Sequence, residues 1–431
     1  MSSIPVNAKI LGKYLARHPL KYGSLSLISD VDLMVVIPAY KEEGFLFDTL
    51  NALYDCERPN GKVGVVVVFN ASEKDGAGLV ERQQWCAQRV REVLAPMAPE
   101  WMSVEVMEAY RLPVKHFGAG LARKIGMDAA ALLYYQMNHP EGIMVTLDAD
   151  TRVRPDYFTA IEQWFEDPAR LGANIYFEHP LEGKLFAPEV YGGITKYELH
   201  LRYYMQAHRF AAFPYAFHSM GSAMAMRVVS YARAGGMPRK QAGEDFYFLQ
   251  KLIPLGGFGE ISSTVVYPSP RPSDRVIFGT GAAITGHVDG RGSVDVTYNL
   301  KAFEDLKVFF ECKSELFTLE SAEYENWTYQ LSGPMRSFLL NTPFFEELAI
   351  LKKDCARQEG FDKRFYEVFN AFKVVKYLNY VHAHFYEKAP VFDMALALIE
   401  RWGMAGDDFM LESDLLECYR NLEVKNPAFL S

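Results

Sequence analysis

A short, mainly apolar run that ends in two aspartates constrains this chain more than any other stretch. Residues 143–147 read Ile-Met-Val-Thr-Leu, and Asp148 and Asp150 follow at once. Such a run is typical of a strand buried on both faces, as in a parallel sheet covered by helices. Because Asp is disfavoured within strands, we expect both aspartates just beyond the strand's carboxyl end, where open α/β sheets bind their ligands.

Two carboxylates this close together repel each other unless a cation or a ligand rich in donors lies between them. Mg²⁺ and Mn²⁺ prefer carboxylate oxygens and keep coordination positions open for substrate phosphates. A hard divalent ion that carries a diphosphate would therefore suit Asp148 and Asp150. The pattern alone leaves a second interpretation open, in which the aspartates only cap the next helix.

Length and composition limit the class of protein. A chain of 431 residues is expected to form one large domain with an appendage, or two domains. The net charge of −9 argues against a nucleic-acid partner, which would require a concentrated basic surface. The five cysteines are scattered and lack Cys-x-x-Cys spacing, so we expect reduced thiols in a cytoplasmic protein.

The first 30 residues are expected to form a basic amphipathic segment. Lys9, Lys13 and Arg17 alternate there with apolar side chains. Such a helix either touches anionic lipid at the inner face of a membrane or docks on the protein, and docking is the favoured interpretation. The longest wholly apolar runs, residues 63–69 and 129–135, are far shorter than the roughly 20 residues of a membrane span. No secretory signal is visible either.

Strand and helix patterns alternate through the first 150 residues. The predicted strands are 32–40, 63–69, 103–109 and 143–147, and the predicted helices are 41–54, a polar helix ending near 94, and 118–136. This alternation indicates βαβ units and a parallel sheet. From residue 298 onward the pattern is helical, with helices expected at 300–316, 343–358, 363–380, 391–402 and 411–422.

Several sequence motifs occur in a distinctive order between residues 31 and 270. They are Val-Val-Ile-Pro-Ala-Tyr-Lys-Glu-Glu at 35–43, Gly-Leu-Ala-Arg-Lys-Ile-Gly at 120–126, Asp-Ala-Asp at 148–150, Met-Gly-Ser-Ala-Met-Ala-Met-Arg at 220–227, Gly-Gly-Met-Pro at 235–238 and Gly-Glu-Asp at 243–245. Taken in this order, they resemble the motifs of family 2 glycosyltransferases with the GT-A fold. The resemblance implies a mixed, mainly parallel sheet flanked by helices.

The resemblance implies a domain division as well. The GT-A domain would span 31–297, with a nucleotide-binding half at 31–150 and an acceptor half at 151–297. Residues 298–431 would form a C-terminal helical region, for which we recognise no motif. That region would dock on the catalytic domain, mediate self-association into a homo-oligomer or shape the acceptor site, and the sequence does not distinguish these roles.

Residues at the ends of the first two strands would bind the nucleoside, by the same resemblance. Pro38, Ala39, Tyr40 and Glu42 would line the nucleoside end of a UDP- or GDP-sugar. Asn70 stands where the family usually has an acidic pair at the end of its second strand. It can still hydrogen-bond a base or a ribose, but the missing carboxylate leaves the choice of nucleotide open.

Basic residues would bind the diphosphate. Arg123 and Lys124 lie near the start of a helix and would neutralise phosphate charge, with Lys124 standing where the family commonly has Asn. Alternatively, both are solvated helix charges. The fold often supplies a histidine as a further metal ligand; His287 is the candidate here, although Arg271 and Arg275 would also suit a direct grip on the phosphates.

The resemblance assigns the acidic pairs to chemistry. Asp150 would bind Mn²⁺ or Mg²⁺ directly, and Asp148 would bind the ribose or support the ion. The ion would stabilise charge on the departing nucleoside diphosphate. Of Glu244 and Asp245, we favour Asp245 as the base that deprotonates the acceptor hydroxyl, which implies inversion of the anomeric centre. Acids at a helix start also simply favour the helix dipole.

The sequence therefore predicts a metal-dependent glycosyltransferase of the hexosyltransferase class. Its acceptor would be a carbohydrate, a lipid-linked sugar or a small molecule. A sugar-phosphate nucleotidyltransferase is a second hypothesis, but it requires a Gly-rich loop with Arg and Lys where residues 38–43 read Pro-Ala-Tyr-Lys-Glu-Glu. A third is an inactive scaffold that has kept the fold.

Overall fold

The computed structural model describes residues 6–25, 30–275, 279–406 and 409–427. Residues 1–5 and 26–29 of the predicted N-terminal segment lie outside the described residues. By its packing the chain divides into two units. Unit 1 comprises Met1–Ile194 and His218–Asp289, and unit 2 comprises Thr195–Phe217 and Gly290–Ser431.

Unit 1 is a sheet flanked by helices. Its strands are β1 (Val31–Ala39), β2 (Lys62–Ser72), β3 (Met102–Leu112), β4 (Ile143–Thr146), β5 (Arg152–Val153), β6 (Gly172–Phe177), β7 (Met224–Arg227) and β8 (Phe258–Tyr267). Its helices are α1 (Val6–Arg17), α2 (Leu46–Tyr54), α3 (Ala77–Arg89), α4 (Ala119–Gln136), α5 (Tyr157–Trp164), the first part of α6 (Pro188–Phe210), α7 (Val228–Arg233), α8 (Glu244–Leu252) and α9 (Thr280–Val288).

The eight strands form one sheet in the order β3-β2-β1-β4-β7-β6-β8-β5. Strands β1 to β4 pair in parallel, β6 pairs in parallel with β8, and β7 and β5 run antiparallel to their neighbours. This mixed, mainly parallel sheet with flanking helices confirms the GT-A-like fold class that the sequence predicts. It also places the carboxyl ends of β1, β2 and β4 side by side.

The centre of the sheet explains why these segments are strands. The side chains of β2 are buried from Val63 to Ser72, and β1 is nearly as buried, as expected for strands covered on both faces. Helix α4 packs closely over them at Gly126, where an added Cβ would lie 2.5 Å from Cγ1 of Val36. This close packing fixes the start of α4 near the carboxyl ends of β1 and β2.

The helix predicted to begin at residue 41 begins later, at Leu46, so that boundary was wrong. Lys41 adopts a φ of 58°, in the left-handed region that interrupts a helix. Glu42 then turns inward and is buried. The residues after β1 therefore form a turn that points the Glu42 carboxylate into the molecule. The tertiary contacts of this turn outweigh the intrinsic helix propensity of its residues.

Unit 2 is helical. Apart from the second part of α6 and a two-stranded ladder of β9 (Val296–Thr297) and β10 (Ala389–Pro390), it contains α10 (Leu300–Cys312), α11 (Tyr324–Trp327), α12 (Gly333–Leu340), α13 (Phe344–Lys353), α14 (Gln358–Val368), α15 (Ala371–His384), α16 (Val391–Arg401) and α17 (Glu412–Lys425). The C-terminal helical region is thus confirmed.

The core of unit 2 is aromatic. The ring centroid of Phe309 lies 4.8 Å from that of Phe369 and 5.7 Å from that of Phe344. The single helix expected over 363–380 is interrupted at Asn370, whose side chain accepts a hydrogen bond from the backbone N–H of Lys373 and caps α15.

Helix α1 lies with its apolar face against unit 1. Leu11 and Tyr14 are buried, whereas Lys9, Lys13 and Arg17 are exposed. Docking on the rest of unit 1 therefore buries the apolar side of this amphipathic helix. Within the described part of the chain, no helix is both long enough and apolar enough to cross a membrane.

Candidate active site

Two arginines gather two carboxylates at the carboxyl end of the sheet. Nε of Arg271 donates to Oδ2 of Asp150 at 2.6 Å, and its Nη2 donates to both carboxylate oxygens of Glu42 at 2.6 Å. Arg275 donates to Glu42 as well, and to the backbone carbonyl of Tyr40 at 2.7 Å. We call Glu42, Asp150, Arg271 and Arg275 the Arg271 cluster.

The Arg271 cluster joins the segment after β8 to the turn after β1. Burial raises the pKa of Glu42 to about 7, and the charge of Asp150 acts in the same direction while the two guanidiniums oppose it. Burial also raises the pKa of Asp150. A site whose carboxylates are this costly to ionise is suited to a ligand or ion that brings further positive charge.

Tyr40 completes this side of the site. Its hydroxyl donates to Oδ1 of Asp75 at 3.0 Å, and its ring meets that of Phe117 edge-on at a centroid distance of 4.8 Å. Pro38 and Ala39 end β1 beside it. The predicted nucleoside-binding residues of the first strand therefore lie together, next to the Arg271 cluster.

A second cluster surrounds Arg123 on the first turns of α4. The guanidinium is 3% exposed and donates to Asp148 through Nη2 and to Glu244 through Nη1. Asp245, the next residue, lies within electrostatic range of it. We call Arg123, Asp148, Glu244 and Asp245 the Arg123 cluster.

Arg123 thus joins the Asp-Ala-Asp turn to the start of α8. The structure places it between two carboxylates that the sequence assigned to separate tasks, rather than among solvated helix charges.

Glycines make the approach to Arg123 and Glu244 possible. A Cβ on Gly221 would lie 2.7 Å from Nη2 of Arg123, and one on Gly120 would lie 2.7 Å from Cβ of Glu244. At Gly118 an added Cβ would lie 2.6 Å from a backbone oxygen. Contacts shorter than 3 Å leave no room for a side chain. Gly120 and Gly221 are therefore explained by close packing around Arg123 and its partner Glu244, whereas Gly126 of the first motif packs on the sheet.

The two acids at the start of α8 differ in environment. Glu244 is buried and bound to Arg123, and burial raises its pKa to about 7 with the charge of Asp245 adding to the effect. Asp245 is only half-buried, and its Oδ1 accepts a hydrogen bond from the backbone N–H of Phe246 at 2.7 Å. Burial raises the pKa of Asp245 too. Of the pair, Asp245 is the more accessible to a substrate.

Two polar side chains that the sequence did not single out hold the strand ends in place. Nε2 of Gln83, on α3, donates to the carbonyls of Ala39 and Asn70 at 2.9 and 2.8 Å. Oγ1 of Thr49, on α2, donates to the carbonyl of Ala149 at 2.9 Å. The sequence signal that could have identified Gln83 and Thr49 is a polar residue at a position that faces the protein interior on an amphipathic helix. Asn70 itself is buried, and its Oδ1 has no hydrogen-bond partner among the described residues.

Two predicted site residues lie elsewhere. Nζ of Lys124 is buried against Asp128 at 3.0 Å and donates to the hydroxyl of Tyr14 at 2.9 Å, so it ties α4 to α1. His287 packs on α6, where a Cβ on Gly193 would lie 2.6 Å from its Cδ2. Neither residue joins the Arg271 or the Arg123 cluster.

The two clusters together contain more acids than bases. Five carboxylates, those of Glu42, Asp148, Asp150, Glu244 and Asp245, accompany three guanidiniums, those of Arg123, Arg271 and Arg275. When all are ionised, the excess is two negative charges. A divalent cation would neutralise that excess.

The protein's own side chains could supply only part of the coordination of such an ion. Within the described ranges, no three His, Cys, Asp or Glu side chains are grouped to hold a metal by themselves. Asp148 and Asp150 are bound to arginine through one oxygen each, Oδ1 and Oδ2 respectively. Mg²⁺ is commonly held by one or two carboxylates plus substrate phosphates. This pair of aspartates suits an ion that arrives together with a phosphorylated ligand.

Comparisons with known proteins give low-identity structural likenesses. No protein-family model and no curated protein matches the chain. Residues 1–349 of TarS from S. aureus, solved with UDP-GlcNAc, are 11% identical, with 80% of this chain and 92% of that chain covered and a TM-score of 0.38. The mannosyltransferase PcManGT from Pyrobaculum calidifontis, solved with GDP-Man and Mn²⁺, is 14% identical, with 98% and 99% covered and a TM-score of 0.32. The function proposed below rests on the geometry of this chain's own site.

Proposed function

We propose that this protein is a glycosyltransferase that moves a sugar from a nucleoside-diphosphate donor to an acceptor hydroxyl. The observation that carries the proposal is the convergence of the two clusters at the carboxyl ends of β1 and β4. One cluster offers arginines and carboxylates suited to a diphosphate and its cation, and the other ends in an accessible acid. A donor site and a base side by side are what glycosyl transfer requires.

The donor would bind at the Arg271 cluster. Arg271 and Arg275 each present a planar guanidinium, which matches phosphate oxygens in two-point contacts. In the free protein those donors are bound to Glu42 and Asp150. Phosphate oxygens would take over part of these hydrogen bonds, and the nucleoside would lie along Tyr40 and the end of β2 at Asn70.

Mn²⁺ or Mg²⁺ would be held by Asp150 and Asp148 together with the donor phosphates. When bound, the ion supplies Lewis-acid stabilisation of the charge that develops on the leaving diphosphate. The excess of acids over arginines in the two clusters supports this part of the proposal.

The acceptor side would be served by the Arg123 cluster. Asp245 would accept the proton of the acceptor hydroxyl, and its raised pKa brings it closer to the operating pH of a general base. Glu244 and Arg123 would act as positioning residues, since their ion pair fixes the start of α8 relative to Asp148. A base on the opposite side of the sugar from the leaving group gives inversion.

Calorimetric titration of UDP and of GDP, with and without Mn²⁺, tests the donor site. The titrations use the full chain, Asp150→Asn, Arg271→Ala and a control, Asp354→Asn, which removes one exposed carboxylate in unit 2. We expect one nucleotide to bind in the presence of Mn²⁺, to lose at least about tenfold in affinity in both site variants, and to bind the control normally.

The possible outcomes separate the hypotheses. Binding that needs no Mn²⁺ but is lost in Arg271→Ala would contradict metal dependence while keeping the donor site on the arginines. If neither nucleotide binds under any condition, the glycosyltransferase proposal is wrong and an inactive protein with this fold takes its place. Transfer of a nucleotidyl group to a sugar phosphate would instead establish the nucleotidyltransferase.

A further inference from the structure

The cations of this chain are distributed very unevenly. Residues 6–25 and 228–243 contain seven of the 45 lysines and arginines and none of the 54 aspartates and glutamates. The rest of the chain therefore carries 38 cations against 54 anions. An acid-free basic region in a protein with a net charge of −9 requires an explanation other than average composition.

The two basic segments form one continuous surface in unit 1. Nη2 of Arg233 donates to the side chain of Asn7 at 3.2 Å, so the end of α7 meets the start of α1. Further along, Gly236 lies so close to α1 that an added Cβ would be 2.0 Å from the hydroxyl of Tyr14. The charge of Arg239 acts on Tyr14 and His18 near the other end of α1.

All seven cations point into solvent. Lys9, Lys13 and Arg17 follow one another at helical spacing along the outer face of α1, and the remaining four are Lys21, Arg233, Arg239 and Lys240. None of the seven forms an ion pair with a described carboxylate. Glu141 lies at the edge of this surface, where its carboxylate accepts a hydrogen bond from Asn7 and lies 3.8 Å from Arg227. We call this surface the basic face.

We propose that the basic face is a docking surface for an anionic phospholipid bilayer. A planar array of phosphate headgroups meets many outward-pointing cations of a helix at once, and each lysine or arginine near such a surface strengthens the attraction. Val6, which is 70% exposed at the start of α1, adds an apolar side chain at the same face. A soluble polyanion would have no use for that side chain.

The contact is electrostatic rather than insertive. The apolar side of α1, with Ala8, Leu11 and Tyr14, is buried against the protein and held there by the Tyr14–Asp128 hydrogen bond of 2.6 Å. A helix whose apolar face is already covered cannot sink into the acyl region. Binding should therefore depend steeply on salt and on lipid charge.

The basic face leads directly to the proposed base. Lys240 is followed within five residues by Asp245, and its carbonyl lies beside Glu244, since both would touch a Cβ on Gly120. Resting on the proposed function, this placement indicates that the acceptor is presented from the membrane surface, as a lipid-linked hydroxyl compound would be.

Vesicle co-sedimentation of the full chain tests the docking surface. The probes are vesicles of phosphatidylcholine alone and of phosphatidylcholine with phosphatidylglycerol. The variant Lys9→Glu/Lys13→Glu/Arg17→Glu reverses three charges of the basic face. A matched control, Lys301→Glu/Lys353→Glu/Lys376→Glu, reverses three exposed lysines of unit 2. Circular dichroism confirms that both variants are folded.

We expect binding only to the anionic vesicles, lost at about 1 M salt, where charges are screened within about 3 Å. The basic-face variant should bind about 100-fold more weakly, and the control should lose far less. Equal loss in the two variants, or binding to neutral vesicles, would overturn the proposal. So would retention on a soluble polyanion such as polyphosphate without vesicle binding.

Nucleotide titration of the same two variants keeps this proposal separate from the proposed function. Vesicle binding without nucleotide binding would support the docking surface and contradict the donor site. Nucleotide binding without vesicle binding would do the reverse.

Discussion

Each unit of the molecule buries a group of charged side chains, and among the described contacts the two groups differ in their ratio of carboxylates to guanidiniums. In unit 2, Arg202 is fully buried and donates to Glu198 at 2.7 Å and to Glu423. Arg420 binds Glu198 at 2.8 Å, so two guanidiniums meet two carboxylates. In unit 1, five carboxylates meet three guanidiniums. The described contacts of the unit 2 group are balanced, whereas the two clusters of unit 1, which contain the aspartates that we propose hold a cation, have an excess of acid.

Arg202→Met should produce the largest effect, on stability alone. It leaves two buried carboxylates in unit 2 with one guanidinium fewer, and breaking a buried ion pair costs about 3–5 kcal/mol of unfolding free energy. Denaturant unfolding measures the loss. Arg401→Met removes an exposed pair with Glu304 and should cost less than about 1 kcal/mol. Similar losses in the two variants would contradict the role of the buried network, and nucleotide binding by folded protein should persist in both.

Arg123→Met should lower stability and ligand binding together. It raises the acid excess of unit 1 and leaves Glu244 buried without its guanidinium, at a cost of about 3 kcal/mol. Arg123→Lys keeps the charge but loses the planar fork that reaches Asp148 and Glu244 at once, so it should recover only part of the loss. Urea unfolding and nucleotide titration read the two effects. If the variant folds and binds nucleotide normally, the Arg123 cluster has only a structural role, like the buried network of unit 2.

Gly221→Ala should displace the Arg123 guanidinium, because the new Cβ would lie 2.7 Å from Nη2. Overpacking of this kind costs about 1–3 kcal/mol. Gly192→Ala is the matched control, since Gly192 is an exposed position of α6 with nothing within 4 Å of its Cβ position, and the change should be neutral or slightly stabilising. Thermal unfolding compares the two variants. If they behave alike, Arg123 tolerates displacement and the close packing around it is not required.

Acid should destabilise unit 2 through His208, whose ring packs against those of Tyr204 and Phe303. His208 is buried, and burial lowers its pKa from the usual 6.5 to about 4. Between pH 6.5 and about pH 4 this histidine is protonated in the unfolded chain but neutral in the folded chain. The free energy of unfolding therefore falls by about 1.4 kcal/mol per pH unit over this range. Unfolding measured at successive pH values should show a shallower decline in His208→Gln. An unchanged slope would mean that His208 does not titrate as buried.

Much of unit 1 was predictable because its signals are local. The apolar runs that became β1, β2 and β4 are buried along their own length, and polar residues at their carboxyl ends must meet at one edge of a parallel sheet. Asp148 and Asp150 were therefore expected at the edge of the sheet that binds ligands, and the family resemblance placed Tyr40 and Glu42 at the same site. The start of α8 at Glu244 follows equally from a glycine and two acids in sequence.

The pairings were not predictable, since they join residues far apart in the chain. Arg123 meets Glu244 across 121 residues and Arg271 meets Glu42 across 229. Lys124, adjacent to Arg123, turns the other way and binds Tyr14 across 110 residues. No local pattern separates two neighbouring basic residues of one helix when only the packing around them differs.

The sequence by itself therefore determined the alternation of strands and helices in the first 150 residues, the helical character of the C-terminal region, the edge of the sheet that bears polar residues, and the basic character of α1. The periodicity of apolar side chains and the low propensity of aspartate for strands are sufficient to predict these features. Only the tertiary structure decided which arginine pairs with which carboxylate, where glycine leaves room for a guanidinium, and that α1 and residues 233–240 form one basic face. These depend on distances between segments, which are fixed when the helices pack on the sheet.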